Sequence, residues 1–319
     1  MHDGPEGAAT GTVPSGRQFS ISHGDATAIV TEVGAGLREL SVAGDAVVWG
    51  YPLSEMAGGG RGQLLAPWPN RLEDGTYRFA GLTAHAALDE PDRRNAIHGL
   101  VRWLVWSLRD EAADRLTLSC ELAPQPAYPW RLALEVTYVL GSDGLVVQAT
   151  AQNRSSTAAP FGMGFHPYLA AGPLGADGCS LRLGARRHLL CDERGLPFGS
   201  ASVEGGPYDF SSGRSLAGVH LDDCFTDMAA TPDEERPDGS AWHVTLSRPD
   251  GSRCTLWADS AWPYVMIYTG DTLAPEDRRR GVAVEPMTCP PNALRSGDSI
   301  VTLAAGGRWS GRFGIRALF

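Results

Sequence analysis

Two imidazoles and one carboxylate stand in this chain where apolar runs give them no packing reason to be there. His98 lies in Asn95-Ala96-Ile97-His98-Gly99, His166 in Gly164-Phe165-His166-Pro167-Tyr168, and Glu285 in Val284-Glu285-Pro286-Met287, directly after Val282-Ala283-Val284. A fourth segment, Ala66-Pro67-Trp68-Pro69-Asn70-Arg71, ends on an amide and a guanidinium. A carboxylate entering an apolar stretch costs desolvation energy unless it is paired or used. Imidazole is the side chain whose ordinary proton affinity suits acid-base work near neutral pH. Taken singly, each position has a plain structural reading: a histidine satisfied within the core, or a turn and a surface ion pair at Asn70-Arg71. Taken together they are a set able to move protons.

Other chemistries lose their usual residues. All 27 basic residues are arginine and lysine is absent, so Schiff-base, pyridoxal and P-loop mechanisms have no amine to work with. No HExxH, GxSxG or strand-linked GxGxxG occurs, which removes the signatures of zincins, α/β-hydrolases and dinucleotide enzymes. The six cysteines, Cys120, Cys179, Cys191, Cys224, Cys254 and Cys289, contain no CxxC pair and read as buried thiols of a reducing cytosol. A net charge of -10 lacks the basic footprint that nucleic acid selects. No window has the length of apolar residues that a membrane span needs. Neither a cofactor nor a metal is expected, and the expected compartment is the cytoplasm.

The elements that must position these residues read as strands. Leu132, Leu134, Val136, Tyr138 and Leu140 alternate with Ala133, Glu135, Thr137 and Val139, the period of a half-buried strand. Gly141-Ser142-Asp143-Gly144 then supplies a turn before the alternation resumes at Leu145, which predicts a β-hairpin. Runs of strand length recur at Ala26 to Thr31, Arg115 to Glu121, Trp242 to Arg248, Arg253 to Ala258, Tyr264 to Tyr268 and Ile300 to Ala304. Helical periodicity is scarce. With 39 glycines and 22 prolines to punctuate the turns, the pattern predicts an all-β sandwich or barrel. Residues 1–17, rich in Gly, Pro, Ala, Ser and Thr, read as a flexible tail and 18–319 as a single domain. The Pro- and Asp-rich stretch within 227–240 reads as a surface loop.

The four segments, in this order, resemble the aldose 1-epimerase (galactose mutarotase) family over nearly the whole chain. The matching features are Asn70-Arg71 followed by Asp74-Gly75, His98-Gly99, Tyr128-Pro129, His166-Pro167-Tyr168, Asp222-Asp223-Cys224-Phe225 and Glu285-Pro286. The wording of LLAPWPNRL, NAIHGLVRW and AVEPMTCPPNAL is similar to a bacterial branch to which sulfosugar mutarotation has been ascribed. The resemblance implies a supersandwich of antiparallel sheets with an open cleft. It also implies interconversion of the α and β anomers of an aldohexose such as glucose or galactose, with His166 as general acid and Glu285 as general base. Asn70, Arg71, His98 and Asp222 are implied to hold the sugar. Counting back from Phe225 selects Asp222, but the adjacent Asp223 remains an alternative.

That chemistry needs a base at the O1 hydroxyl and an acid at the ring oxygen, which a carboxylate and an imidazole on opposite sides of the sugar supply. Glu285 is expected ionised as the base and His166 protonated, or sharing a proton, as the acid, the two exchanging roles when the ring closes on the other face. Of the nine tryptophans, Trp68 and Trp103 are the first candidates to stack on the apolar face of the sugar, with burial in the core the plainer reading of each. A hexose-6-phosphate or sulfosugar 1-epimerase is the alternative enzyme, with Arg93, Arg94 and Arg102 as its anion site. A non-catalytic carbohydrate-binding module is the alternative class, and the presence of both His166 and Glu285 argues against it. The partner expected is a small sugar, taken up by a monomer or homodimer.

Overall fold

A computed structural model describes residues 13–229 and 241–319. Most of the expected tail and of the expected loop within 227–240 lies outside the described residues. Residues 13–17, read as part of the tail, lie against the body: Ser15 is buried and its carbonyl accepts the amide of Val33.

Two large antiparallel sheets carry the chain. The first has twelve strands and contains the segments around His166, Asp222 and Glu285; the second has nine strands. The hairpin read from the alternation forms as Leu132–Gly141 against Gly144–Asn153, in register from Leu132↔Asn153 to Gly141↔Gly144. Its inward side chains Leu132, Leu134, Val136, Tyr138 and Leu140 are all buried. Each such burial contributes roughly 1.5–3 kcal/mol of transfer free energy, which fixes the register because a one-residue slip would turn the whole set outward.

The two sheets face each other across one core. The Tyr138 hydroxyl of the second sheet donates to the carbonyl of Ala35, between two strands of the first, at 2.6 Å. Phe165 of the first sheet packs on Phe313 of the second, with ring centroids 4.8 Å apart. The other predicted strands form within a residue or two of their expected bounds, for example Trp242–Ser247, Arg253–Ala258 and Tyr264–Tyr268. One α-helical turn, Ala293–Ser296, is present among the described residues. This is the antiparallel supersandwich that the resemblance implied.

The strand that carries Glu285, Gly281–Met287, is central. It lies between Tyr168–Ala170 and Tyr264–Tyr268, and all seven of its residues are buried. That is why it reads as a continuous apolar run and not as an alternation: both faces of the sheet are covered at this point.

Candidate active site

Register brings the imidazole and the carboxylate together. Gly164 pairs with Met287, and Tyr168 pairs with Ala283. Continued across the gap, the same antiparallel register sets His166 opposite Glu285, and residues opposite each other present their side chains on one face. His166 Nε2 lies 3.2 Å from Glu285 Oε1, with side-chain exposures of 6% and 2%. The next strands continue the alignment, with Met266 opposite Glu285 and Asp222 opposite Tyr268.

The loop Gly58 to Gln63 seats the imidazole from above. The His166 amide donates to the Gln63 carbonyl, and its own carbonyl accepts from the Gly62 amide, each at 2.9 Å. Tyr168 stacks on the ring at 5.1 Å between centroids and 20° between planes, while its hydroxyl donates to the Gly59 carbonyl at 2.8 Å. His98 meets the other side edge-on at 5.3 Å. A carbon at the Cβ position of Gly60 would come within 2.7 Å of His166 Cδ2, at a backbone φ of +76°.

A second pair of segments delivers the hydrogen-bonding groups. Arg71–Glu73 pairs with Asn95–Ile97, and Asn70 sits at the bend before it with φ +53°. Asparagine tolerates that left-handed region because its short amide bonds locally. Here the side-chain oxygen accepts the Arg71 amide at 2.9 Å, and the Asn70 carbonyl accepts the His98 amide at 2.9 Å. The buried Arg71 guanidinium donates to Glu90 at 3.0 Å and to Asp222 at 3.1 Å.

Asn70, Arg71, His98, His166, Asp222 and Glu285 thus line one cleft of about 560 Å³. Asp222 lies in the cleft. Asp223, its neighbour on the strand, points to the opposite face, beside Tyr208. Of the three arginines read as an anion site, Arg93 and Arg102 line the cleft, whereas Arg94 is exposed and pairs with Asp74. Trp103 lines the cleft. Trp68 does not: it is 2% exposed within the hydrophobic core, because its side chain turns inward at the segment whose last two residues turn to the cleft. The cysteines are free, and all are buried except Cys191, which is exposed.

Two expectations about the pair require correction. The imidazole and carboxylate do not stand on opposite sides of a space but side by side on one wall, as cross-strand neighbours must. Nor does burial favour the charged forms. It pushes the Glu285 carboxyl well above the usual carboxylate range, helped by the nearby Asp222 charge, and pulls His166 down to about 4. His98 is likewise pulled well below the ordinary histidine value by burial. Burial thus disfavours the fully charged pair, while the 3.2 Å contact leaves Nε2 and Oε1 close enough for one proton to pass between them. Glu285 Oε2 and His166 Nδ1 are buried with no hydrogen-bond partner among the described residues.

Sequence reasoning missed Glu90, Tyr168 as a support of His166, and the glycine loop. The run Gly58-Gly59-Gly60 was a readable signal. Glu90 gave none, since its contact with Arg71 spans nineteen positions of chain.

Comparison with known proteins identifies the fold and the family. The family model for Aldose 1-epimerase matches residues 17–316. The chain is 34% identical over 294 residues to the uncharacterised protein YihR of Escherichia coli K12, covering 92% of this chain and 90% of that one. It is 29% identical over 171 residues to the galactose mutarotase of Pongo abelii, covering 51% of this chain and 48% of that one. Among solved structures, the GalM/aldose epimerase homologue of Caenorhabditis elegans matches with a TM-score of 0.82 at 17% identity, covering 95% of this chain and 98% of the other. Galactose 1-epimerase of Lactobacillus acidophilus matches with a TM-score of 0.75 at 19% identity, over 93% and 92% of the two chains. At such identities the structural likeness speaks for the fold, while the family match speaks for the lineage. The chain belongs to the aldose 1-epimerase family, and so to a group of isomerases that act on carbohydrates.

Proposed function

We propose that the protein interconverts the α and β anomers of a neutral aldohexose such as glucose or galactose. The observation that carries this reading is the buried His166–Glu285 contact of 3.2 Å at the wall of a cleft that also holds Arg71, His98 and Asp222. Ring opening requires that the O1 hydroxyl lose a proton while the ring oxygen O5 gains one. Both oxygens hang on one carbon, so an acid and a base side by side can reach them together.

In the forward step the proton of the pair starts on His166: Glu285 accepts the O1 proton, the C1–O5 bond breaks, and His166 delivers its proton to O5. The product is the open-chain aldehyde. Rotation about C1–C2 presents the other face, and the reverse transfers close the ring. The pair ends with the proton inventory it began with. General acid and general base each supply roughly 10²–10⁴ in rate. Arg71 and His98 donate to sugar hydroxyls, Asp222 accepts from them, and Asn70 holds the bend that sets Arg71 against His98. Trp103, partly exposed in the cleft, offers its ring to the apolar sugar face.

Charge supports a neutral sugar over a phosphorylated or sulfonated one. Arg71, Arg93 and Arg102 share the cleft with Glu90, Asp92, Asp222 and Glu285. Each of the three guanidiniums already holds a carboxylate: Arg71 and Arg93 both reach Asp222, and Arg102 reaches Asp89. Polarimetry on fresh α-glucose, α-galactose and α-glucose 6-phosphate, with and without the protein, tests the reading. Acceleration of a neutral sugar is expected. Acceleration of the phosphate ester alone would overturn the neutral assignment, and acceleration of none would overturn mutarotation of these aldohexoses.

A further inference from the structure

The hairpin between Ala185–Cys191 and Pro197–Ser202 forms the far edge of the twelve-stranded sheet, yet its tip reaches back to the cleft. The tip is rigidly built. Asp192 Oδ1 accepts the amides of both Arg194 and Leu196 at 2.9 Å, and the Gly195 amide donates to the Asp192 carbonyl at 2.9 Å. Neither Arg194 nor Gly195 lines the cleft.

Arg194 nevertheless fastens the segment that carries Glu90 and Arg93. Its Nε donates to the Arg93 carbonyl, and Nη2 donates to the Arg94 carbonyl and to Asp74 Oδ1, each at 2.9 Å. Its own backbone carbonyl accepts Asn95 Nδ2 at 2.9 Å, and the same amide nitrogen donates to Glu90 Oε2 at 2.8 Å. Glu90 in turn holds Arg71 Nε at 3.0 Å. A relay of hydrogen bonds thus runs from the tip through Asn95 and Glu90 to the Arg71 guanidinium. The tip also meets that guanidinium directly. A Cβ on Gly195 would lie 2.5 Å from Arg71 Nη1 and 2.8 Å from Cζ, and the backbone there has φ +74°. Only glycine lets the tip pass so close.

We infer that the Asp192–Leu196 tip is a positioning element for sugar binding: Arg194 and Gly195 hold the Arg71 guanidinium at the angle from which it meets the substrate. This rests on the proposed reading of Arg71 as a sugar-binding residue. A buried guanidinium fixed on one side by a carboxylate and on the other by glycine backbone loses less freedom when it binds, which favours affinity over turnover.

The test is kinetic, by polarimetry on whichever panel sugar turns over fastest, with Arg71→Ala, Arg194→Met and Gly195→Ala each alone and with the two tip changes in the Arg71→Ala background. Arg71→Ala should raise KM about ten- to a hundredfold, the size of a lost charged hydrogen bond. Arg194→Met and Gly195→Ala should each raise KM about tenfold, leave kcat within about twofold, and add almost nothing once Arg71 is absent. Gly195→Ala covers the case in which Arg194→Met does not fold, and thermal unfolding of every variant separates loss of fold from loss of affinity. If Arg71→Ala raises KM but neither tip change does, the positioning role is wrong and the sugar-binding reading stands. Equal losses from the tip changes with and without Arg71 would mean a general structural role and would also overturn the inference. If Arg71→Ala leaves KM unchanged, or no panel sugar turns over, the reading of the site fails and the inference falls with it.

Discussion

Glu285→Gln separates proton transfer from everything else that Glu285 does. Its side chain is buried, its Oε1 contacts His166 Nε2 at 3.2 Å, and its Oε2 has no partner among the described residues. Glutamine has the same shape and can keep one hydrogen bond to the imidazole. It loses a carboxyl whose charged form burial already penalises. Fold stability should therefore change by less than about 1 kcal/mol in either direction, because no cavity and no unpaired charge is created. Catalysis should suffer far more. An amide cannot accept the O1 proton at neutral pH, so kcat should fall roughly 10²–10⁴-fold, about 3–5 kcal/mol of transition-state stabilisation, with KM nearly unchanged. His166→Asn should cost a similar factor. The double variant should be much less than additive, since acid and base serve one coupled step. Polarimetry gives kcat and KM, NMR exchange between anomeric signals gives an independent rate, and thermal unfolding checks the fold. Near-normal turnover in Glu285→Gln would refute the assignment and direct attention to Asp222, the other expected carboxylate of the cleft.

Gly60→Ala should press on the imidazole from the loop side, where a Cβ would come 2.7 Å from His166 Cδ2; misplacement on the ångström scale lowers kcat by about 10², and an unaltered kcat in a folded variant would show that the ring is not held there. Asp223, half-buried beside Tyr208, has its carboxyl pushed up to about 6 by burial. Its folded value is thus raised above the unfolded one near 4, so its contribution to stability is full below about pH 4 and is lost as pH rises through 6. Asp223→Asn should consequently gain about 1 kcal/mol on wild type between pH 4.5 and 8, after allowance for solvent screening, and denaturant unfolding at the two pH values reads the difference. No step of the proposed mechanism uses a metal ion, so turnover should survive exhaustive chelation; activity lost in EDTA and restored by zinc or magnesium would mean a different mechanism.

The sequence by itself determined the class of fold. The period-two run at Leu132 to Leu140 and the Gly-Ser-Asp-Gly turn act within a few residues, so local sterics and side-chain burial suffice to specify the hairpin. It also singled out His98, His166 and Glu285, because a titratable group inside an apolar run is anomalous wherever the run ends up. Counting back from Phe225 selected Asp222 but kept the adjacent Asp223 as an alternative. Neighbours on a strand face opposite sides, and the Asp222↔Tyr268 register puts Asp222 on the face shared with Glu285. For Trp68 and Trp103 the sequence offered both cleft and core, and the backbone decides between them: Trp68 is buried in the core while Trp103 lines the cleft. Protonation was also beyond reach, because the values of His166 and Glu285 are set by how completely the sheets exclude water from both, a property of packing and not of residue type. The contacts of Glu90 and Arg194 with the Arg71 region depend on loops closing across long stretches of chain. No local pattern encodes such meetings, and only the tertiary structure places those side chains around one guanidinium.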